Sequence, residues 1–115
     1  MLTKGFDPAR LVEHFDKHVI KLKNISAVDF RDYENLADQF MGGPKRPSVL
    51  ECKRGGGDTI RFDCKSDEYG IVDSNGMIRT YFKPDPARHG KGSNLNYLCL
   101  ECRTVFRPAG QKSII

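Results

Sequence analysis

Two histidines, His14 and His18, stand four residues apart in Glu13-His14-Phe15-Asp16-Lys17-His18-Val19. On a helix that spacing sets the two rings side by side, on a flank shared with Lys17 and Lys21. Imidazole is the side chain best suited to exchange protons near neutral pH. Far downstream, Ile78-Arg79-Thr80-Tyr81-Phe82-Lys83-Pro84 gathers two cations, a hydroxyl and two aromatic rings on one short segment. Arg79 and Lys83 can neutralise a phosphate, and Tyr81 or Phe82 can stack on a base. Cleaving RNA without a metal needs a base for the 2′-hydroxyl, an acid for the departing 5′-oxygen, and cations or donors around the phosphate. The sequence holds all three types.

The residues expected to carry such chemistry are His14, His18, Arg79 and Thr80, with Lys17, Lys21, Arg61, Tyr81, Phe82 and Lys83 as RNA contacts. In this scheme His18 is the base or acid, assisted by His14 or Lys17, while Arg79 and Thr80 hold the phosphate and Lys83 adds positive potential. Each part also fits a plainer role. The histidines could be one surface and one core-edge residue, residues 78–83 could be an ordinary exposed strand, and Arg61 could pair with Asp63. Two histidines at this spacing can also chelate zinc. No Glu follows the first in the metalloprotease pattern and no third ligand stands out, so neither a metal nor a cofactor is expected.

The elements that must position these groups are legible from caps, periods and turns. Asp7-Pro8 reads as an N-cap followed by proline at the first helical position, opening a helix to about Lys23. Leu11, Val12, Phe15, Val19 and Leu22 form its apolar stripe, with His18 at the edge of the buried face. Ser26-Ala27-Val28-Asp29 resembles a capping box for a second helix, in which Phe30, Tyr33, Leu36, Ala37 and Phe40 recur at helical spacing. Gly42-Gly43-Pro44 ends it with a left-handed cap.

From there the pattern alternates. Residues 48–53 and 59–64 predict a hairpin with Leu50, Cys52, Ile60, Phe62 and Cys64 on one face. The glycines at 55–57 belong to its turn, because a phosphate-cradling loop would need a Lys-Ser/Thr ending and a following helix. Residues 69–72 and 77–83 predict a second hairpin around Asp73-Ser74-Asn75-Gly76, with Ile78, Thr80 and Phe82 on one face and Arg79, Tyr81 and Lys83 on the other. Arg88-His89-Gly90-Lys91-Gly92-Ser93-Asn94 reads as a flexible basic loop, residues 95–105 as a further strand, and the tail after Pro108 as frayed. The expected fold is α+β, with two N-terminal helices packed on a four- to five-stranded antiparallel sheet whose other face stays open to a ligand.

The chain has 115 residues, 38% hydrophobic and 30% charged, with seven Phe and four Tyr. That suits one domain over 1–115, with an ordered core at about 7–107, and argues against disorder. The net charge of +4 favours polyanions. No apolar run is long enough to span a membrane, and the N-terminus lacks a signal-peptide pattern, so any delivery across a membrane falls to another part. Of the four cysteines, only Cys99-Leu100-Glu101-Cys102 has knuckle spacing, which argues against structural zinc. Cys52 and Cys64 are not opposed in the predicted hairpin, so the cysteines are expected to be free, partly buried thiols.

The paired-His segment, the helix around residues 33–40, Gly57-Asp58-Thr59-Ile60-Arg61-Phe62-Asp63, and Gly76-Met77 leading into Ile78-Arg79-Thr80-Tyr81-Phe82-Lys83-Pro84 occur in that order. Together they resemble the C-terminal tRNase domains of contact-dependent growth-inhibition proteins and related polymorphic toxins. Those domains belong to the broad barnase, EndoU, colicin and RelE-like ribonuclease group. The resemblance covers most of residues 10–100 and departs at the Cys99–Cys102 stretch. It implies metal-free cleavage of tRNA and a cognate immunity protein, which should be acidic. It also implies a natural context at the C-terminus of a large secreted or cell-surface effector that delivers the domain to the target-cell cytoplasm. The rivals are a non-catalytic RNA-binding module and a DNA-cutting toxin of the same delivery class. The second would need a metal, and the sequence has no His-Asn-His pattern or carboxylate cluster to hold one.

Overall fold

A computed structural model of the chain describes residues 1–103 and, beyond them, two short strands, Val105–Phe106 and Lys112–Ser113. The remainder of the segment after Pro108 lies outside the described residues. The architecture is α+β. Helix α1 (Pro8–Phe15) is capped by Asp7, whose carboxylate accepts from the Arg10 amide at 3.3 Å. It does not run on unchanged to Lys23. From Asp16 to Lys21 the backbone widens into a π-helix, with the Leu22 amide bonded to the Lys17 carbonyl five residues back. Leu11, Phe15 and Val19 of the expected stripe pack on the core, whereas Val12 is exposed and His18 is buried.

Helix α2 (Phe30–Gly42) begins later than Ser26-Ala27-Val28-Asp29 suggested. Asp29 is the cap, accepting from the Asp32 amide at 2.9 Å, and the Asp32 carboxylate reaches back to the Val28 amide at 2.9 Å. The pair resembles a capping box moved three residues on, except that the return bond goes to Val28, the residue before the cap, and not to the cap's own amide. Gly43 beyond the helix is extended, not left-handed; a Cβ there would sit 2.4 Å from the Gln39 carbonyl oxygen.

Strands β1 (Val49–Lys53), β2 (Thr59–Asp63), β3 (Tyr69–Val72) and β4 (Ile78–Phe82) form one antiparallel meander in that order. The first hairpin pairs Leu50 with Phe62 and Cys52 with Ile60, as alternation required; Cys64 falls past the strand end and is exposed. The second hairpin is bulged. Ile71 pairs with Thr80 and Val72 with Ile78, so Arg79 is left over and the alternation of β4 is interrupted. Ile78 therefore joins Tyr81 on the face covered by α1 and α2, separated from Thr80 and Phe82.

Both faces of the sheet are covered. On one, Tyr33, Ala37, Phe40 and Met41 of α2 pack on Val49, Ile78 and Tyr81. On the other, Leu50, Ile60, Phe62, Tyr69 and Ile71 meet Leu98 of a further helix, α4 (Asn94–Cys102), which follows a short helix α3 (Pro86–His89). Residues expected to return as a strand are thus a helix, capped by Ser93 through the Asn96 amide at 3.0 Å. The face expected to stay open is largely closed by it. A Cys52–Cys102 disulfide fastens α4 to β1, which corrects the expectation of free thiols for that pair; Cys64 and Cys99 lie outside the disulfide.

The residues before α1 are ordered as well. Phe6 pairs in parallel with Ile78 along the outer edge of β4, and the Leu2 and Thr3 amides bond to the Asp38 carboxylate at 2.9 and 2.7 Å. This edge pairing lays α1 and the π-helix alongside β4. The short strands β5 (Val105–Phe106) and β6 (Lys112–Ser113) pair only with each other, so the main sheet has four strands. No described helix is long and apolar enough to cross a membrane.

Candidate functional site

The run of α1 along β4 brings His14 and His18 against Thr80 and Phe82, and α3 with α4 closes the opposite side. The result is a cleft of about 170 Å³, lined by all three histidines of the chain together with Lys17, Asn24, Thr80, Phe82, Lys83, Arg88 and Tyr97. A more open groove of about 800 Å³ continues from it, sharing Leu22, Asn24, Lys83, Pro84 and Asp85.

Each imidazole has a defined setting. The His18 ring lies stacked on Phe82, centroids 4.9 Å apart and planes 17° apart, and only 3% of the residue is exposed. The His14 ring is 5.6 Å from it, half-buried, with Nδ1 3.5 Å from the Thr80 hydroxyl. His89 stacks on Tyr97 at 4.6 Å, and both its ring nitrogens are occupied. Nε2 donates to Asn94 Oδ1 at 2.9 Å, and Nδ1 accepts from the Lys91 amide at 3.0 Å. Asn94 in turn donates to the Pro84 carbonyl at 2.9 Å, which fixes the direction of its amide. His89 therefore serves as a wall that ties α3 to α4, and the imidazoles open to chemistry are His14 and His18.

Burial pushes the His18 pKa down to about 4, and the nearby His14, Lys17 and Arg88 push the same way. Burial also lowers His14, partly opposed by Glu13. Both rings are thus held toward the neutral form. Lys17, Lys83 and Arg88 make no ion pair among the described residues. Asp85 reaches the cleft, but its carboxylate caps α3 by accepting from the Ala87 amide at 3.0 Å. The cleft is therefore a concave site of concentrated positive potential with two neutral imidazoles, suited to a phosphate-bearing ligand. An anion bound there would offset the positive potential that adds to burial in holding both rings neutral.

Six of the residues expected from sequence meet in this cleft: His14, Lys17, His18, Thr80, Phe82 and Lys83. Four do not. Arg79, displaced by the bulge, pairs with Asp58 at 3.1 Å, and Asp58 also holds Arg54 at 2.9 Å. Arg61 is held by Glu51 at 2.7 Å and donates to the Phe40 and Gly43 carbonyls at the end of α2, at 3.1 and 2.9 Å; it is not paired with Asp63. Tyr81 is buried under α2, with its hydroxyl bonded to Glu68, and presents no face to a base. Lys21 lies outside the cleft, paired with Asp16 at 3.0 Å. Sequence reasoning missed Asn24, Arg88, His89 and Tyr97. The composition of the basic loop could have pointed to Arg88 and His89, but no local signal marks Asn24 or Tyr97. No family model matches the sequence, and no curated protein is significantly similar to it.

Proposed function

We propose that the chain is a metal-independent endoribonuclease that cuts tRNA, acting as the toxin domain of a larger effector delivered into the cytoplasm of a target bacterium. The observation that carries this reading is the meeting of His14, His18 and Thr80 with unpaired Lys17, Lys83 and Arg88 in one cleft. A 2′-hydroxyl loses its proton to an imidazole and attacks the adjacent phosphorus. The bond to the 5′-oxygen breaks, that oxygen takes up a proton from the imidazolium just formed or from water, and a 2′,3′-cyclic phosphate remains. The cations and the Thr80 hydroxyl hold the phosphate while charge builds on its oxygens. tRNA as the preferred substrate, delivery from the cell surface and an acidic immunity protein over the basic cleft follow from the family resemblance.

The test is gel analysis of bulk bacterial tRNA incubated with the protein in EDTA, beside His14→Ala and His18→Ala variants. Discrete fragments ending in cyclic phosphate, absent with the variants, are expected. Tight RNA binding with no cleavage, with or without magnesium, would replace this reading by a non-catalytic RNA-binding module; cleavage of DNA only in magnesium would replace it by a DNase toxin.

A further inference from the structure

Asn24, which had no place in the sequence-based scheme, controls one of the two open imidazoles. It follows the π-helix, just after Lys23 in a left-handed turn (φ 52°), and its own amide donates to the His18 carbonyl at 3.0 Å. Its side chain bridges two elements of the cleft. Oδ1 accepts from the Lys83 backbone amide at 3.5 Å, and Nδ2 lies 3.3 Å from His18 Nδ1. The Lys83 amide can only donate, so it selects the oxygen of Asn24 and turns the NH2 toward the ring. An NH2 can only donate in its turn, so His18 Nδ1 must be the bare nitrogen and the ring proton must sit on Nε2. Stacking on Phe82 fixes the plane of the same ring. His18 lines the cleft, and its Nε2 makes no hydrogen bond among the described residues, which leaves it as the ring atom available to a ligand.

We propose that Asn24 is a positioning residue that holds His18 neutral with its proton on Nε2, so that His18 donates a hydrogen bond to a phosphate oxygen and His14 is the base. The division of roles rests on the ribonuclease reading above; the tautomer does not. In this form His18 has no lone pair facing the substrate and cannot take the 2′-hydroxyl proton. Protonation at Nδ1 would set two donors, Nδ1–H and the Asn24 NH2, against each other. The charged groups lining the cleft are Lys17, Lys83, Arg88 and Asp85; Lys17 and Arg88, with His14 when it is protonated, disfavour the cation further, while Asp85 is engaged as the α3 cap. A neutral imidazole acting as hydrogen-bond donor needs no pKa near 7, which suits the depth at which His18 lies. His14 keeps access to a bare nitrogen, because the Thr80 hydroxyl can donate or accept and leaves either tautomer open.

Asn24→Asp replaces the donor with an acceptor of nearly the same shape. The test compares the ring 15N signals of His18 in the full chain, wild type against Asn24→Asp and Asn24→Ala, alongside thermal midpoints and the pH profile of RNA cleavage. The wild type is expected to carry the proton on Nε2. Asn24→Asp should move it to Nδ1 and raise the His18 pKa, with kcat down by about 10²-fold and KM changed far less. Asn24→Ala should give a mixture of tautomers and an intermediate rate. A wild-type ring protonated on Nδ1, an Asn24→Asp ring unchanged from wild type, or a tautomer that moves with no loss of kcat would overturn the proposal. A wild type that cuts no RNA would defeat the ribonuclease reading and the division of roles with it, while the ring signals still decide the tautomer.

Discussion

The protein treats its positive charges differently in two regions. Around the turn between β1 and β2, Arg54 and Arg79 converge on the buried carboxylate of Asp58, and Glu101 of α4 joins them through Arg54 at 3.2 Å. The hydrogen bond from Arg54 outweighs burial and, with the charge of Arg79, holds the Asp58 carboxyl below its usual range. At the other end, Lys17, Lys83 and Arg88 stand around His14 and His18 with no carboxylate paired to them among the described residues. Both regions are rich in cations. In the first the charge is satisfied internally and holds elements together; in the second it has no ion-pair partner among the described residues. A net charge of +4 describes neither, because what matters for a polyanion is which cations lack a partner.

The comparison fails most visibly if the two regions respond alike. His14→Ala should reduce RNA cleavage by about 10²–10⁴-fold, and His18→Ala by a similar order, with folding retained. Arg79→Ala should leave cleavage within about threefold of wild type and lower stability by about 1 kcal/mol or less, since the side chain is half exposed. Loss of activity in Arg79→Ala at unchanged stability would put Arg79 back in the site. Chemical denaturation of Cys52→Ala/Cys102→Ala should reveal a loss of about 2–4 kcal/mol, because the disulfide closes a loop across a sequence separation of 50.

Acid should weaken the cleft side in a defined window. The folded His18 pKa is about 4 against an ordinary 6.5, so between these values the unfolded chain binds a proton that the folded chain refuses. Stability is therefore full above pH 6.5 and falls as pH drops toward 4, by about 3 kcal/mol from this group. Urea titrations of wild type and His18→Phe should differ in slope over that window; parallel curves would mean that the ring protonates freely. The smallest effect is expected from Lys17→Ala, Lys83→Ala or Arg88→Ala. Each should weaken RNA binding and flatten its dependence on the logarithm of salt concentration by about 0.7 per lost phosphate contact. Lys21→Ala and Arg61→Ala should leave that slope alone.

Much of the fold was legible because it rests on local rules. Asp7-Pro8 starts α1, Asp73-Ser74-Asn75-Gly76 turns the second hairpin, and the period-two pattern set the register of Leu50 with Phe62. The π-helix and the move of the α2 cap to Asp29 are local misses, whereas others were decided by partners distant in sequence. The bulge at Arg79 answers to the pull of Ile78 into the helix-covered core and of Arg79 toward Asp58. Helix α4 has a weak apolar pattern because Leu98 is its one buried residue and a disulfide fastens its far end. Tyr81 looked like a surface ring only while β4 was assumed to alternate without interruption.

What the sequence determined by itself is the class of chemistry on offer: imidazoles at helical spacing, a hydroxyl with rings and a cation on one strand, and enough apolar residues for an α+β core. Residue types and short spacings carry that information because proton affinity, charge and helical or strand periodicity are local properties. Only the tertiary structure decided which cations are free, that His89 is a wall while His18 opens on the cleft, and that Asn24 faces the His18 ring. The Asn24–His18 contact spans only six residues, but the Lys83 amide that orients Asn24 lies 59 residues on, and a bond between residues that far apart has no signature in either neighbourhood.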